Sequence, residues 1–266
     1  ASNDADIILF AGVRFMAETA KILSPEKKVL LSDMDAGCSL ADSCRADDFK
    51  QFIKENPDRT VITYVNTNID IKVLSDIICT SSNAVQIIES LPADEKIIFG
   101  PDRNLGNYIL NITGRDIVIW NGACHVHEEF SIEEILRLKK ENPGAKIIVH
   151  PECELPVRMV ADFIGSTSAL LKFTRRDNAE RYIVGTEPGI IHQMKKENPA
   201  KEFIPAPPRD STCACSECNF MKLITMEKIY KCIRDEEPEI VIERTTLAKA
   251  RKPIVRMMEI SEKLGL

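Results

Sequence analysis

The chain has 266 residues with a formal net charge of −6 and 44% hydrophobic residues, which suits a globular protein that buries a sizeable core. No apolar stretch approaches about eighteen residues, so the composition excludes a membrane-spanning helix, and scattered basic residues argue against a nucleic-acid-binding surface. Its nine cysteines and an amino terminus unlike a secretory signal indicate a reducing compartment, so we expect a cytoplasmic protein.

Strands and helices alternate along the predicted chain. A strand, a glycine and an amphipathic helix are predicted over 6–22. Further on, "FKQFIKEN" (49–56) and "IEEILRLKKEN" (132–142) place apolar residues at helical spacing with charges between them. Each is followed by an apolar, β-branched run, "TVITYVN" (60–66) and "KIIVHPE" (146–152). This alternation predicts parallel α/β units.

An internal repeat organises the chain at an offset of 86 residues, since "KENP" at 54–57 recurs at 140–143. The same offset relates Cys38 and Cys124, Asp76 and Asp162, and Ser82 and Ser168. Several matches in one frame indicate a duplicated unit rather than chance. Two partial copies, over 6–22 and 218–242, extend the series at both ends of the chain.

The repeat predicts three homologous, three-layer α/β/α domains with parallel sheets, packed most simply as a triangle around a pseudo-threefold axis. Their predicted bounds are 1–37 for the back half of the first domain, 38–123 for the second, 124–217 for the third, and 218–266 for a segment that completes the first. Because the first copy lacks its front half, we expect a portion on the order of forty residues to be missing before residue 1.

Three cysteines occupy the same position in successive repeats: Cys38, Cys124 and Cys218. Each follows a predicted strand, and loops after the carboxyl ends of parallel strands are where such folds hold ligands. Structural zinc uses four protein ligands, whereas three isolated thiolates suit a [4Fe–4S] cluster with one iron left open as a Lewis acid. Spacing alone leaves this interpretation open against buried structural thiols.

The remaining cysteines have plainer predicted roles. Cys44, Cys79, Cys153 and Cys232 lie in apolar or helical stretches and are expected to be buried small hydrophobic residues. Cys213 and Cys215 lie beside a proline-rich loop, and three roles stay open for them: a redox pair, spare ligands or solvent-facing thiols.

Polar residues follow two of the predicted strands at matching positions. Tyr64 and Asn66 end one strand, and His150 and Glu152 end its counterpart. Such a pair alone is more often structural, but its matching placement beside the repeat cysteines favours an acid–base pair near a metal. The runs "CTSSNAV" and "GSTSALL" also match, and each is interpreted either as a helix N-cap or as half of an anion site.

Two further polar pairs are interpreted as supporting residues. His125 and His127 follow the second repeat cysteine, where they either donate to cluster sulfur or serve packing or exposed roles. Glu187 and His192 are predicted to form a buried polar pair that supports their loop. No Walker or dinucleotide-binding glycine fingerprint occurs, so a nucleotide cofactor is unsupported.

Taken together, the motifs resemble those of the quinolinate synthase family over essentially the whole chain. The stretches that carry the resemblance are "DMDAGCSLAD", "YVNT", "TSSNAV", "FGPDRNLGNY", "NGACHVH", "VHPEC", "ADFIGSTS", "VGTEPGIIH" and "CNFMKLITMEKI". The resemblance implies a transferase of NAD biosynthesis that condenses iminoaspartate with dihydroxyacetone phosphate to quinolinate, losing phosphate and two waters. It also implies three α/β domains around a central [4Fe–4S] cluster.

Residue by residue, the resemblance implies the following roles. Cys38, Cys124 and Cys218 match the cluster ligands, while His150 and Glu152 match the catalytic histidine and glutamate. The positions that match substrate- or product-binding residues are Tyr64, Asn66, Ser81, Ser166 and Thr167. A His-x-Tyr-Gln motif and a Gly-Asp-Ser turn of the family lie before the point where this chain begins.

The implied partners are the two small-molecule substrates and the enzyme that supplies iminoaspartate, with no nucleic acid and no membrane. Two alternatives remain at this point. One is another [4Fe–4S] hydro-lyase of the aconitase kind, and the other is a non-catalytic repeat scaffold with buried structural thiols.

Overall fold

The structure is a computed structural model that describes residues 4–210 and 216–266. It divides into two compact units. The first unit combines Ala1–Gly122 with Asn219–Leu266, and the second is Ala123–Cys218. Among residues 4–210 and 216–266, none of the helices combines the length and the hydropathy of a membrane span.

In the described residues, short strands are separated by one or two helices up to residue 205, and three helices follow. The strands are β1 Ile7–Phe10, β2 Lys28–Leu31, β3 Thr60–Tyr64, β4 Ile77–Cys79, β5 Ile97–Gly100, β6 Ile117–Ile119, β7 Lys146–Val149, β8 Phe163–Ile164, β9 Arg181–Gly185 and β10 Glu202–Pro205. The helices are α1 Arg14–Leu23, α2 Ser39–Asp42, α3 Ala46–Glu55, α4 Ile69–Leu74, α5 Ala84–Glu89, α6 Arg103–Thr113, α7 His125–Glu128, α8 Ile132–Glu141, α9 Leu155–Met159, α10 Thr167–Arg176, α11 Gly189–Glu197, α12 Asn219–Lys222, α13 Met226–Asp235 and α14 Arg244–Leu264.

The two four-stranded sheets have the same topology. In the first unit the order is β4-β3-β5-β6, and in the second unit it is β8-β7-β9-β10. All neighbouring strands in both sheets are parallel. The first unit also holds β1 and β2 as a parallel pair. The predicted α/β class with parallel sheets is therefore confirmed.

One side-chain hydrogen bond recurs at the 86-residue offset. The Val61 backbone N–H donates to Asp76 Oδ2 over 2.8 Å, and the Ile147 N–H donates to Asp162 Oδ2 over the same 2.8 Å. Each aspartate precedes the second strand of its sheet and satisfies a backbone donor at the start of the first strand. The duplication that is visible in the sequence therefore extends to single contacts.

Residues that alternate along a strand pack on opposite faces of the second unit's sheet. Ile147 and Val149 of β7 belong to a core cluster with Ile135 of α8. The intervening Ile148 belongs to another cluster, with Leu170 of α10 and Met194 of α11. Helices thus cover both faces, which explains why the strands read as continuous apolar runs.

The carboxyl-terminal part of the chain differs from the repeat. The strand expected within 218–242 is reduced to an antiparallel bridge between Glu239 and Leu30 of β2. Its hydrogen bonds run from Ile240 N–H to Val29 O (2.8 Å) and from Leu31 N–H to Pro238 O (3.2 Å). Pro238 has no backbone N–H to donate, which limits a longer ladder.

The 21-residue helix α14 follows this segment and packs on α4 and β4 of the first unit. Its buried Ala250 and Ile254 join Ile22 of α1 and Ile78 of β4 in one core cluster. Arg251 Nη1 of α14 also donates a hydrogen bond to Ile22 O, near the end of α1, over 3.1 Å. The middle of α14 is therefore built into the core of the first unit.

Candidate functional site

The three repeat cysteines hold equivalent places in the local structure. Cys38 is the N-cap residue of α2, Cys124 is the N-cap residue of α7, and Cys218 directly precedes α12. Each of these helices has four residues and is followed by a ten-residue helix: α3, α8 and α13 respectively. All three cysteines are partly buried.

The other described cysteines are buried, as the sequence predicts. These are Cys44, Cys79, Cys153 and Cys232. Burial, reinforced by the nearby Asp48 carboxylate, raises the pKa of the Cys44 thiol to about 12, and burial also raises the pKa of Cys79. The Cys153 thiol donates to Gly185 O over 3.2 Å. Cys213 and Cys215 lie outside the described residues.

His150 and Glu152 follow the carboxyl end of β7, where the sequence predicts a functional pair. Both are only 3% exposed, and His150 Nδ1 lies 3.4 Å from Glu152 Oε1. The Glu152 backbone N–H donates to His150 Nδ1 over 3.3 Å, so a neutral imidazole carries its proton on Nε2.

Burial is the main cause of an unusual pKa at His150. It lowers the pKa of this imidazole to about 4, while the Glu152 carboxylate opposes the shift and His127 adds to it. The histidine is therefore neutral at physiological pH, and the contact with Glu152 is not an ion pair.

His127, which the sequence predicts only as a supporting residue, lies beside this pair. Its Nδ1 lies 3.2 Å from Glu152 Oε2, and its Nε2 shares a 3.1 Å hydrogen bond with Thr186 Oγ1. The ring centroids of His127 and His150 are 5.0 Å apart. We call His127, His150 and Glu152 the imidazole–carboxylate group, since together they place two imidazoles around one buried carboxylate.

Cys124 adjoins this group. Its sulfur, a ring nitrogen of His127 and a carboxylate oxygen of Glu152 all lie within 4.8 Å of one another. The 3.2 Å contact at His127 Nδ1 is not aligned as a hydrogen bond, and within the described residues this buried nitrogen has no hydrogen-bond partner. The proximity of Cys124 and His127 could have been predicted from the sequence, because residues three apart on a helix are neighbours.

The serine and threonine candidates differ between the two units. In the second unit Ser166 is the N-cap residue of α10, and its Oγ accepts from Ala169 N–H over 3.3 Å, which confirms a capping role for this hydroxyl. Thr167 is exposed at the first position of that helix. In the first unit Tyr64 is buried at the end of β3, and Ser81 is partly buried in the turn after β4.

One predicted polar pair is wrong. Glu187 Oε2 accepts from Gly189 N–H over 2.7 Å and closes its own loop, whereas His192 is exposed. The buried positions of α11 are Ile191 and Met194, so the helical period turns His192 toward solvent. His192 is therefore not part of a buried pair with Glu187.

Comparison with known proteins assigns the chain to a family. A family model described as "Quinolinate synthetase A protein" matches residues 1–259. Proteins named quinolinate synthase are similar over 98% of this chain: one from Thermosynechococcus vestitus is 57% identical and covered over 82% of its length. Others come from Synechocystis sp. at 56% identity and 82% coverage, and from Chloroherpeton thalassium at 52% and 81%. The chain therefore belongs to the quinolinate synthetase A family of enzymes.

Proposed function

We propose that the protein condenses iminoaspartate with dihydroxyacetone phosphate to form quinolinate, with loss of phosphate and two waters. The observation that carries the proposal is the buried imidazole–carboxylate group beside Cys124. A condensation followed by dehydrations needs a group that takes protons from carbon and returns them to leaving hydroxyls. A buried carboxylate with two imidazole neighbours is suited to that work.

We propose that Cys38, Cys124 and Cys218 hold a [4Fe–4S] cluster. Their shared position before a four-residue helix, their partial burial and the preference of iron–sulfur clusters for thiolates support this donor set. When bound, the cluster supplies a Lewis acid through an iron that has no protein ligand. We propose as well that three homologous α/β domains, with the bounds predicted from the repeat, surround this cluster.

Within the imidazole–carboxylate group, Glu152 is the proposed acid–base residue. Its two oxygens lie near different imidazoles, 3.2 Å from His127 Nδ1 and 3.4 Å from His150 Nδ1. His150 is neutral because burial lowers its pKa to about 4, so it presents an Nε2–H donor without adding a positive charge. In this role it orients and stabilises a substrate oxygen while Glu152 moves the proton.

We further propose that hydroxyl and amide side chains bind the anionic groups of the substrates. Ser166 and Thr167 begin the ten-residue helix α10, whose amino terminus favours negative charge. In the first unit Tyr64 is the last residue of β3, Asn66 lies two residues after it, and Ser81 lies in the turn after β4. Each of these five residues matches a family position that contacts substrate or product, and their polar hydrogens are suited to carboxylate and phosphate oxygens.

The test is formation of quinolinate by the full-length protein, purified and assayed without oxygen. Iminoaspartate and dihydroxyacetone phosphate are supplied together, and the product is identified by mass spectrometry. Omission of either substrate is the control for background. Folded, iron-loaded protein that makes no quinolinate would refute the proposal. Dehydration of a hydroxy acid instead would favour a hydro-lyase of the aconitase kind.

We also propose a cytoplasmic location, close to the enzyme that supplies iminoaspartate.

A further inference from the structure

A single amide side chain closes the turn that carries Ser81. We call residues 80–83 the serine turn; it connects β4 to α5. Asn83 Oδ1 accepts two hydrogen bonds from Thr80, one from its backbone N–H at 2.7 Å and one from its Oγ1 at 2.9 Å. The Asn83 N–H in turn donates to Thr80 O over 3.2 Å. These bonds hold the two ends of the turn together around Ser81 and Ser82.

The other end of the same amide reaches the carboxyl-terminal helix. Asn83 Nδ2 donates to Ser261 Oγ over 3.1 Å, across 178 residues of chain, and both residues are partly buried. Ser261 lies near the end of α14, which packs on β4 and α5. The amide therefore uses its oxygen to shape the serine turn and its nitrogen to attach that turn to α14.

The duplicated unit shows that the fold does not require this bridge. At the 86-residue offset the position of Asn83 is taken by Ala169, which has no polar side chain. There is no separate turn at these positions, because α10 already begins at Thr167 and Ser166 Oγ caps it by accepting from Ala169 N–H, so the strand and the helix form without an amide bridge. A bridge that is present in one copy and dispensable for folding in the other points to a task specific to the serine turn.

We infer that Asn83 is a positioning residue for Ser81, with Ser261 of α14 as its brace. The inference rests on the proposed function, in which Ser81 contacts an anionic group of the substrates. A turn held at both ends presents its hydroxyl without a loss of conformational freedom on binding. Loss of the brace is expected to weaken substrate binding by about three- to tenfold, the effect of one neutral hydrogen bond.

The decisive variants act on the two ends of the bridge in the full-length, iron-loaded protein. Ser261→Ala removes only the brace, so KM for one substrate should rise about three- to tenfold with little change in kcat. Asn83→Ala also opens the serine turn and should raise KM further. Adding Ser261→Ala to Asn83→Ala should have no additional effect, because the amide donor is already gone. Ser261→Thr keeps the hydroxyl and should restore KM.

Arg251→Met is the matched control for loosening of α14. It removes the bonds from Arg251 to Ile22 O (3.1 Å) and Leu23 O (3.3 Å), on a different contact of the same helix. This variant should lower Tm and leave KM unchanged. If Ser261→Ala and Arg251→Met change KM equally, or neither changes it, the inference is overturned.

Hydrogen exchange separates this inference from the proposed function. Amides of the serine turn should exchange faster in Ser261→Ala than in wild type, while Arg251→Met should leave them unchanged. Faster exchange in Ser261→Ala with no quinolinate formed by wild type would refute the proposed function but not the brace. Unchanged exchange in Ser261→Ala would refute the brace whatever the activity.

Discussion

In the interior of the second unit, His127 Nδ1 lies 3.2 Å from Glu152 Oε2. The two residues come from different elements, since His127 belongs to α7 and Glu152 follows β7. Glu152 Oε1 lies 3.4 Å from His150 Nδ1, so the carboxylate has an imidazole beside each oxygen. The Glu152 carboxylate therefore links the two imidazoles.

Replacing Glu152 by glutamine should abolish most of the activity without unfolding the protein. The amide has nearly the shape of the carboxylate but cannot accept and return a proton, and a general acid–base group contributes about 10²- to 10⁴-fold. Quinolinate formation measures the loss. Glu154→Gln is the control, because that side chain is more exposed and pairs with Arg209. Activity within about tenfold of wild type in Glu152→Gln would contradict the acid–base role.

His127→Ala should lower both activity and stability. Removing the ring leaves the buried Thr186 hydroxyl without its 3.1 Å partner, and an unsatisfied buried polar group costs about 1–3 kcal/mol. The free energy of unfolding in urea measures this cost. His125→Ala is the matched control on the same short helix, at a position that is less buried. Equal destabilisation by the two variants would argue against a special role for His127.

His150 should make the protein less stable in mild acid. Its pKa falls from an ordinary 6.5 to about 4 on folding, so the unfolded chain binds more protons between these values. The free energy of unfolding should be unaffected by this group above about pH 6.5 and decrease as the pH falls toward 4, by about 3 kcal/mol in total. Urea unfolding of wild type and His150→Asn across this range isolates the effect, because the variant should lose that part of the pH dependence.

Single replacement of Cys38, Cys124 or Cys218 by alanine should abolish the brown chromophore of anaerobically purified protein. Each removes one thiolate from a set of three, and soft thiolates are the ligands that an iron–sulfur cluster requires. Iron and sulfide content per chain measures the loss. Cys232→Ala is the control, because this buried thiol should have no contact with the cluster. Loss of the chromophore on replacing Cys213 or Cys215 instead would overturn the ligand assignment.

Much of the fold could be predicted because local sequence patterns and an internal duplication indicate it. Alternating strands and helices predict parallel sheets, and the 86-residue offset predicts equivalent contacts such as those of Asp76 and Asp162. The same offset identifies Cys38 and Cys124 as one structural position. His150 and Glu152 could also be predicted as a pair, since residues after the carboxyl ends of parallel strands gather at one edge of the sheet.

The sequence by itself therefore determined the fold class, the repeat, the equivalent cysteines and the pair at the end of β7. Only the tertiary structure decided that His127, and not His192, is buried in a polar group, since its partner Thr186 lies 59 residues away. It also decided that Asn83 meets Ser261 across 178 residues. Periodicity and duplication reside in consecutive residues, whereas these contacts depend on how helices and loops pack, which no local pattern records.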